Sequence, residues 1–110
     1  MAGFELAGQA FRIINGGPQY THSPAMSLLV NCVDQEEVDG LWERLTSDGG
    51  EEGQCGWLTD RFGVSWQISP IALGEMMASP DSAAVERVTA AFLGMRKLDI
   101  AELERAFRDE

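Results

Sequence analysis

The stretch Cys55–Pro70, CGWLTDRFGVSWQISP, decides how the rest of the chain is read. Two apolar-rich runs, QCGWLT (54–59) and VSWQI (64–68), flank the polar segment Asp60-Arg61-Phe62-Gly63, which predicts a β-hairpin. With Thr59 opposite Val64, Trp57 faces Trp66 on one side of that hairpin. Leu58 then pairs with Ser65, and Gly56 with Gln67, on the other side. The tryptophan side is expected to pack on a helix. Gln67, an amide in an apolar strand, is expected on the side that looks away, toward a pocket or toward water.

The helix lies just upstream. Asp34 and Glu37 form a capping-box pattern, and Val38, Leu41, Trp42 and Leu45 recur at i, i+3, i+4 and i+7. Asp48-Gly49-Gly50 supplies the stop, because glycine accepts the left-handed conformation past a helix end. Before the helix, AMSLLVNCV (25–33) is an unbroken apolar run of strand length, covered on both faces or lining a pocket on one. Residues 3–14, GFELAGQAFRII, read as a further hairpin around Ala7-Gly8. The Gly/Pro-rich loop NGGPQYTHSP (15–24) joins the two. Downstream, Pro70 opens a short helix to about Ala78. Ser79-Pro80 is expected to cap a second, with Val85, Val88, Phe92 and Met95 as its stripe. Asp99 and Glu102 start a third, with Ile100, Leu103 and Phe107 inward.

The 110 residues bound the chain to one domain, 1–110, of class α+β. Its net charge of −10, from 18 acidic and 8 dispersed basic residues, argues against a nucleic-acid partner. No apolar run reaches the length of a membrane span, so no membrane partner is expected. The first residues lack the basic start and apolar core of a secretion signal, so the cytoplasm is the expected compartment. Cys32 and Cys55 are too far apart in sequence for a CxxC redox pair and too few for a zinc cluster; both are expected as free thiols. His22, the single histidine, is expected as an exposed loop residue.

With these elements in hand, NGGP (15–18), SLLVNCVDQEEVDGLWERL (27–45), GGEEGQCGWLTDRFGVSWQISP (49–70) and KLDIAELERAF (97–107) resemble the PhnB-like family. That family belongs to the vicinal oxygen chelate, or glyoxalase/bleomycin-resistance, superfamily, and some members carry a 3-demethylubiquinone-9 3-methyltransferase label. The resemblance implies paired βαβββ modules whose mostly antiparallel sheets enclose a cleft. On it, residues 26–68 form one complete module and residues 3–14 the last hairpin of a shortened first module, with a helical segment over 70–110. A lone chain of this kind lacks one wall of the cleft, so a homodimer is expected, its hairpin crossing to extend the partner's sheet.

In metal-dependent relatives, His, Glu or sometimes Gln from several strands hold one divalent ion. The resemblance puts Gln67 in the carboxylate position and Ser27 in that of the first-strand histidine. An amide and a hydroxyl are weak donors beside imidazole and carboxylate, so no metal and no cofactor are expected. The methyltransferase label finds no support either, since no Gly-rich strand-to-helix turn for S-adenosylmethionine is visible.

Ser27, Ser65, Gln67 and Leu58 are therefore the expected ligand-binding residues, the polar ones orienting a small molecule in an apolar-walled cleft. The other reading of Gln67 is a solvent-facing strand residue. Three functions compete: a metal-free small-molecule-binding protein, an enzyme of the same fold with an unidentified small substrate, and a non-catalytic dimerising subunit.

Overall fold

A computed structural model describes all 110 residues. Two residues with positive φ, Ala7 (51°) and Gly8 (79°), make the tight turn between β1 (Ala2–Leu6) and β2 (Gln9–Ile13). The antiparallel register sets Ala2 opposite Ile13, Phe4 opposite Phe11 and Leu6 opposite Gln9. One face of this ribbon is thus apolar, and the Phe4 and Phe11 rings stack across it at 5.2 Å.

The second sheet follows the order β3-β6-β5-β4, from β3 (Ser27–Cys32), β4 (Glu51–Glu52), β5 (Trp57–Thr59) and β6 (Ser65–Pro70). β3 runs parallel to β6, and the remaining pairs are antiparallel. The sheet is accordingly mixed, and the α+β class holds with a β-α-β-β-β order over β3, α1 (Gln35–Thr46), β4, β5 and β6. The helix starts where expected: Glu37 N–H donates to Asp34 Oδ1 at 2.9 Å. The Glu37 carboxylate accepts from the Val33 amide, one residue before the cap. Val38 and Trp42 of α1 bury against Cys32, Leu58 and Ile68, with Leu41, Leu45, Val30 and Trp66 around them.

The expected register of the β5–β6 hairpin is displaced by one residue. Trp57 pairs with Gln67, Leu58 with Trp66 and Thr59 with Ser65. The cause is the loop. Asp60 closes it on Val64, its N–H donating to the Val64 carbonyl at 2.9 Å. Its carboxylate accepts from the Phe62 and Val64 amides at 2.9 and 3.0 Å and from Trp66 Nε1 at 3.0 Å. Trp66 still packs toward α1, but with Leu58 beside it instead of Trp57.

Burial pushes the Asp60 carboxyl up, and the hydrogen bonds from Trp66, Val64 and Phe62, with the field of His22, outweigh it and hold the group below the ordinary carboxylate range. Asp60→Ala is expected to lower stability by about 1–3 kcal/mol at neutral pH, by leaving three donors without their acceptor. Because the native pKa lies below the unfolded one, this contribution is complete above the unfolded value of about 4. It is lost as pH falls through the native value. Urea denaturation from neutral pH into acid should show wild type and variant converging; a constant gap would contradict this role.

The C-terminal third folds into α2 (Ile71–Met77), α3 (Ser82–Leu93) and α4 (Ile100–Arg108). Met76, Val88, Leu98 and Leu103 form a second core, flanked by Phe92, Met95 and Phe107. The cap of α3 is Asp81, whose Oδ1 accepts from the Ala84 amide at 3.1 Å; Ser79 instead accepts from the Asp81 amide. The chain turns for two more residues through Pro80, so the cap of α3 moves from the expected Ser79 to Asp81. The two cores join at Gly56, where φ is +85° and its amide donates to Arg96. A Cβ there would meet the Ile68 carbonyl at 3.0 Å and Leu98 Cδ1 at 3.1 Å, so only glycine permits this approach.

The β1–β2 ribbon stands apart from both cores. The molecule measures 51 × 27 × 24 Å with a radius of gyration of 16.2 Å, against about 13 Å for a compact chain of this length. Phe4, Leu6, Phe11 and Ile13 remain 46, 50, 37 and 55% exposed. No helix is long and apolar enough to cross a membrane.

Candidate functional site

The parallel pairing of β3 with β6 sets Ser27 opposite Ser65 and Leu29 opposite Gln67. Side chains alternate along a strand, so Ser27, Ser65 and Gln67 share the sheet face turned away from α1. Gln67 Nε2 donates to Ser27 Oγ at 2.9 Å, and Ser65 is buried. These three expected residues do come together. Leu58 does not join them. The one-residue change of register turns it to the opposite face, where it is buried between α1 and the sheet. Trp57 and Thr59 occupy the face it was expected to share.

A cleft of about 620 Å³ opens between the ribbon and the adjoining ends of β3 and β6. Phe4, Leu6, Phe11 and Ile13 form its apolar wall. Met26, Ser27, Leu28, Val64 and Ser65 line it as well, as do Thr21, His22 and Ser23. Gln67 lies outside the lining and reaches the cleft only through its hydrogen bond to Ser27, which orients that hydroxyl. His22 is exposed, as expected, yet it belongs to the cleft. Its Cβ and Cδ2 lie 3.9 Å from where a Cβ on Gly63 would stand. Sequence reasoning missed both His22 and the ribbon's aromatic wall. The apolar residues at 4, 6, 11 and 13 were visible as an alternating pattern, but nothing in the sequence placed that pattern beside residues 64 and 65.

A resident divalent ion does not fit these residues. The Gln67 amide donates to the Ser27 hydroxyl, and no three His, Cys, Asp or Glu side chains converge anywhere in the chain. A hydroxyl–amide pair supplies neither the charge nor the donor strength a divalent ion takes.

Both cysteines are free. Cys32 is fully buried in the α1 core, and burial, with the field and hydrogen bond of Glu37, pushes its thiol up to about 11. Such a thiol is a packing group and a poor nucleophile. Alkylation of the native protein is expected to modify the half-buried Cys55 first and Cys32 only on unfolding. Peptide mass spectrometry over a time course would reverse that order if Cys32 were accessible.

The model of the 3-demethylubiquinone-9 3-methyltransferase family matches residues 1–69, from the ribbon to the end of β6. Among solved structures, the chain is similar to the PhnB protein of Bacillus cereus, which carries the same methyltransferase name. The likeness has a TM-score of 0.56 at 35% identity and covers 62% of this chain and 61% of that one. The chain therefore spans less than two thirds of that protein's length. No curated protein matches.

Proposed function

Since the chain belongs to the 3-demethylubiquinone-9 3-methyltransferase, or PhnB-like, family, we propose that it is a metal-free, small-molecule-binding protein of glyoxalase-like type that works as a homodimer. The observation that carries this reading is the cleft of about 620 Å³, apolar along the ribbon and bearing the Ser27 and Ser65 hydroxyls on the sheet side. Its size suits a small organic ligand, and its mix of apolar wall and few polar groups is the usual make-up of such sites.

The methyl transfer in the family's name calls for a cofactor, commonly cradled at a Gly-rich strand-to-helix turn. Here β3 passes into α1 through Val33-Asp34, and β6 passes into α2 at Pro70. Neither turn holds a glycine, so these residues do not fit S-adenosylmethionine.

The homodimer is supported by two unpaired features. β3 is an edge strand with its outer side open, and the ribbon is a two-stranded sheet with its apolar residues half in water. An isolated ribbon of two strands is marginal in water, and an open edge tends to recruit another chain. In the dimer the ribbon's edge extends the partner's sheet while its apolar face stays on a cleft. On this reading the ribbon is the last hairpin of a first module, and β3 to β6 make up the second one. The free thiols suit a cytoplasmic location.

Amide NMR of the full chain during a fragment screen tests the ligand reading. Shifts should cluster on Phe4, Phe11, Met26, Ser27 and Ser65. Fragments that bind only on the α2–α4 face, or none that saturate, would refute it.

A further inference from the structure

The chemistry of the cleft is uneven. Its ribbon side is hydrocarbon, with Phe4 and Phe11 stacked at 5.2 Å. The rest of its lining includes the consecutive polar residues Thr21, His22 and Ser23, and Ser27 and Ser65 on the sheet. Hydroxyls and a ring N–H are donors to a ligand's acceptor atoms. Hydroxyl oxygens also accept, so neutral heads are served too, but a cationic head would call for a carboxylate as its counter-charge. No Asp or Glu lines the cleft, although the chain holds 18 of them. The two ionisable residues that do line it, Arg12 and His22, are both basic. Arg12 pairs opposite Gly3, on the ribbon face away from Phe4 and Phe11, so the head group falls to His22. That ring is seated against Gly63, next to Val64 and Ser65 of the cleft.

We propose that the cleft takes an apolar-bodied monocarboxylate, its body on the Phe4–Phe11 face and its head at His22 and the neighbouring hydroxyls. The proposal rests on the small-molecule reading above and narrows it to one ligand class. Salt at about 0.1 M screens the overall charge of −10 beyond roughly 10 Å, and the nearby Asp60 carboxylate, which shares a field with His22, lies outside the cleft lining with its oxygens taken up by Phe62, Val64 and Trp66. Inside the cleft the local donors decide, because hydrogen bonds to an ionised acceptor are about twice as strong as neutral ones.

The test is calorimetric titration of the full chain with naphthoate and with naphthamide, which share one body and differ in the head. Naphthoate should bind roughly tenfold tighter. His22→Leu should weaken naphthoate binding roughly tenfold, to the level of naphthamide, so that the preference is lost, and His22→Gln, which keeps a donor, should restore part of it. Circular dichroism checks that the variants are folded; His22 is exposed, so both should be. Equal binding of the two probes to the wild type, or a preference that survives His22→Leu, overturns the carboxylate assignment and leaves the small-molecule cleft standing. If neither probe binds saturably, the cleft reading fails and this proposal with it.

Discussion

Aspartate at both Phe4 and Phe11 should dissociate the protein and melt the ribbon in one step. The two rings stack at 5.2 Å on a face that is about half exposed within one chain. In the proposed dimer that face looks into a cleft which the partner chain helps to wall, and a charge placed there would be held against apolar surface without a partner. Aromatic anchors of this kind are worth about 2–4 kcal/mol each at an interface. Each 1.4 kcal/mol is about a factor of ten in dissociation constant. The double variant should therefore raise the dissociation constant by at least about a thousandfold. It should also lose strand signal, since two strands alone are marginal. Sedimentation velocity and circular dichroism read the two effects. A wild-type chain that sediments as a compact monomer at micromolar concentration, and a variant that is equally stable, would exclude the dimer.

Leu58→Ala should cost about 2–5 kcal/mol, the range for a large aliphatic side chain removed from a closed core. Leu58 is 2% exposed and packs with Cys32, Val38, Trp42 and Ile68. Gln67→Ala should cost less than about 1 kcal/mol, because Gln67 is half-buried and makes one side-chain hydrogen bond, to Ser27. Trp57→Ala should fall between them, since Trp57 shares the half-open face with Gln67. Urea denaturation with a common slope gives all three on one scale. If Leu58→Ala is mild and Trp57→Ala severe, the pairing of β5 with β6 is the one that the bare count of loop residues implies.

Elements whose signals are local were legible in the sequence. The Asp34 cap with its apolar stripe, the Ala7-Gly8 turn, the Asp99 cap and the strand-length run before α1 each depend on a few neighbouring residues, and each formed as expected. The grouping of Ser27 with Gln67 was legible as well, once the family resemblance had put each in a ligand position of the cleft. The parallel register of β3 with β6 keeps residues of like parity on one side.

The α3 cap and the β5–β6 register were not legible. Both turn on which of two nearby residues closes a loop, Thr59 or Asp60 in the hairpin and Ser79 or Asp81 before the helix, and a carboxylate that accepts from backbone amides decides it in three dimensions. Asp60 takes three donors at once and thereby closes the hairpin one residue later than a count of loop residues implies. That single step moved Leu58 from the cleft side to the core. His22 entered the site for a comparable reason. Its neighbours there, Gly63, Val64 and Ser65, lie some forty residues downstream, and only the packing of the 15–26 loop beside the ends of β3 and β6 brings them together. Sequence by itself determined which segments are helix, strand and turn, because caps, glycines and apolar periods act over a single turn or strand. Tertiary structure alone decided which side chains share the cleft, because strand register and loop packing are settled by contacts between residues far apart in the chain.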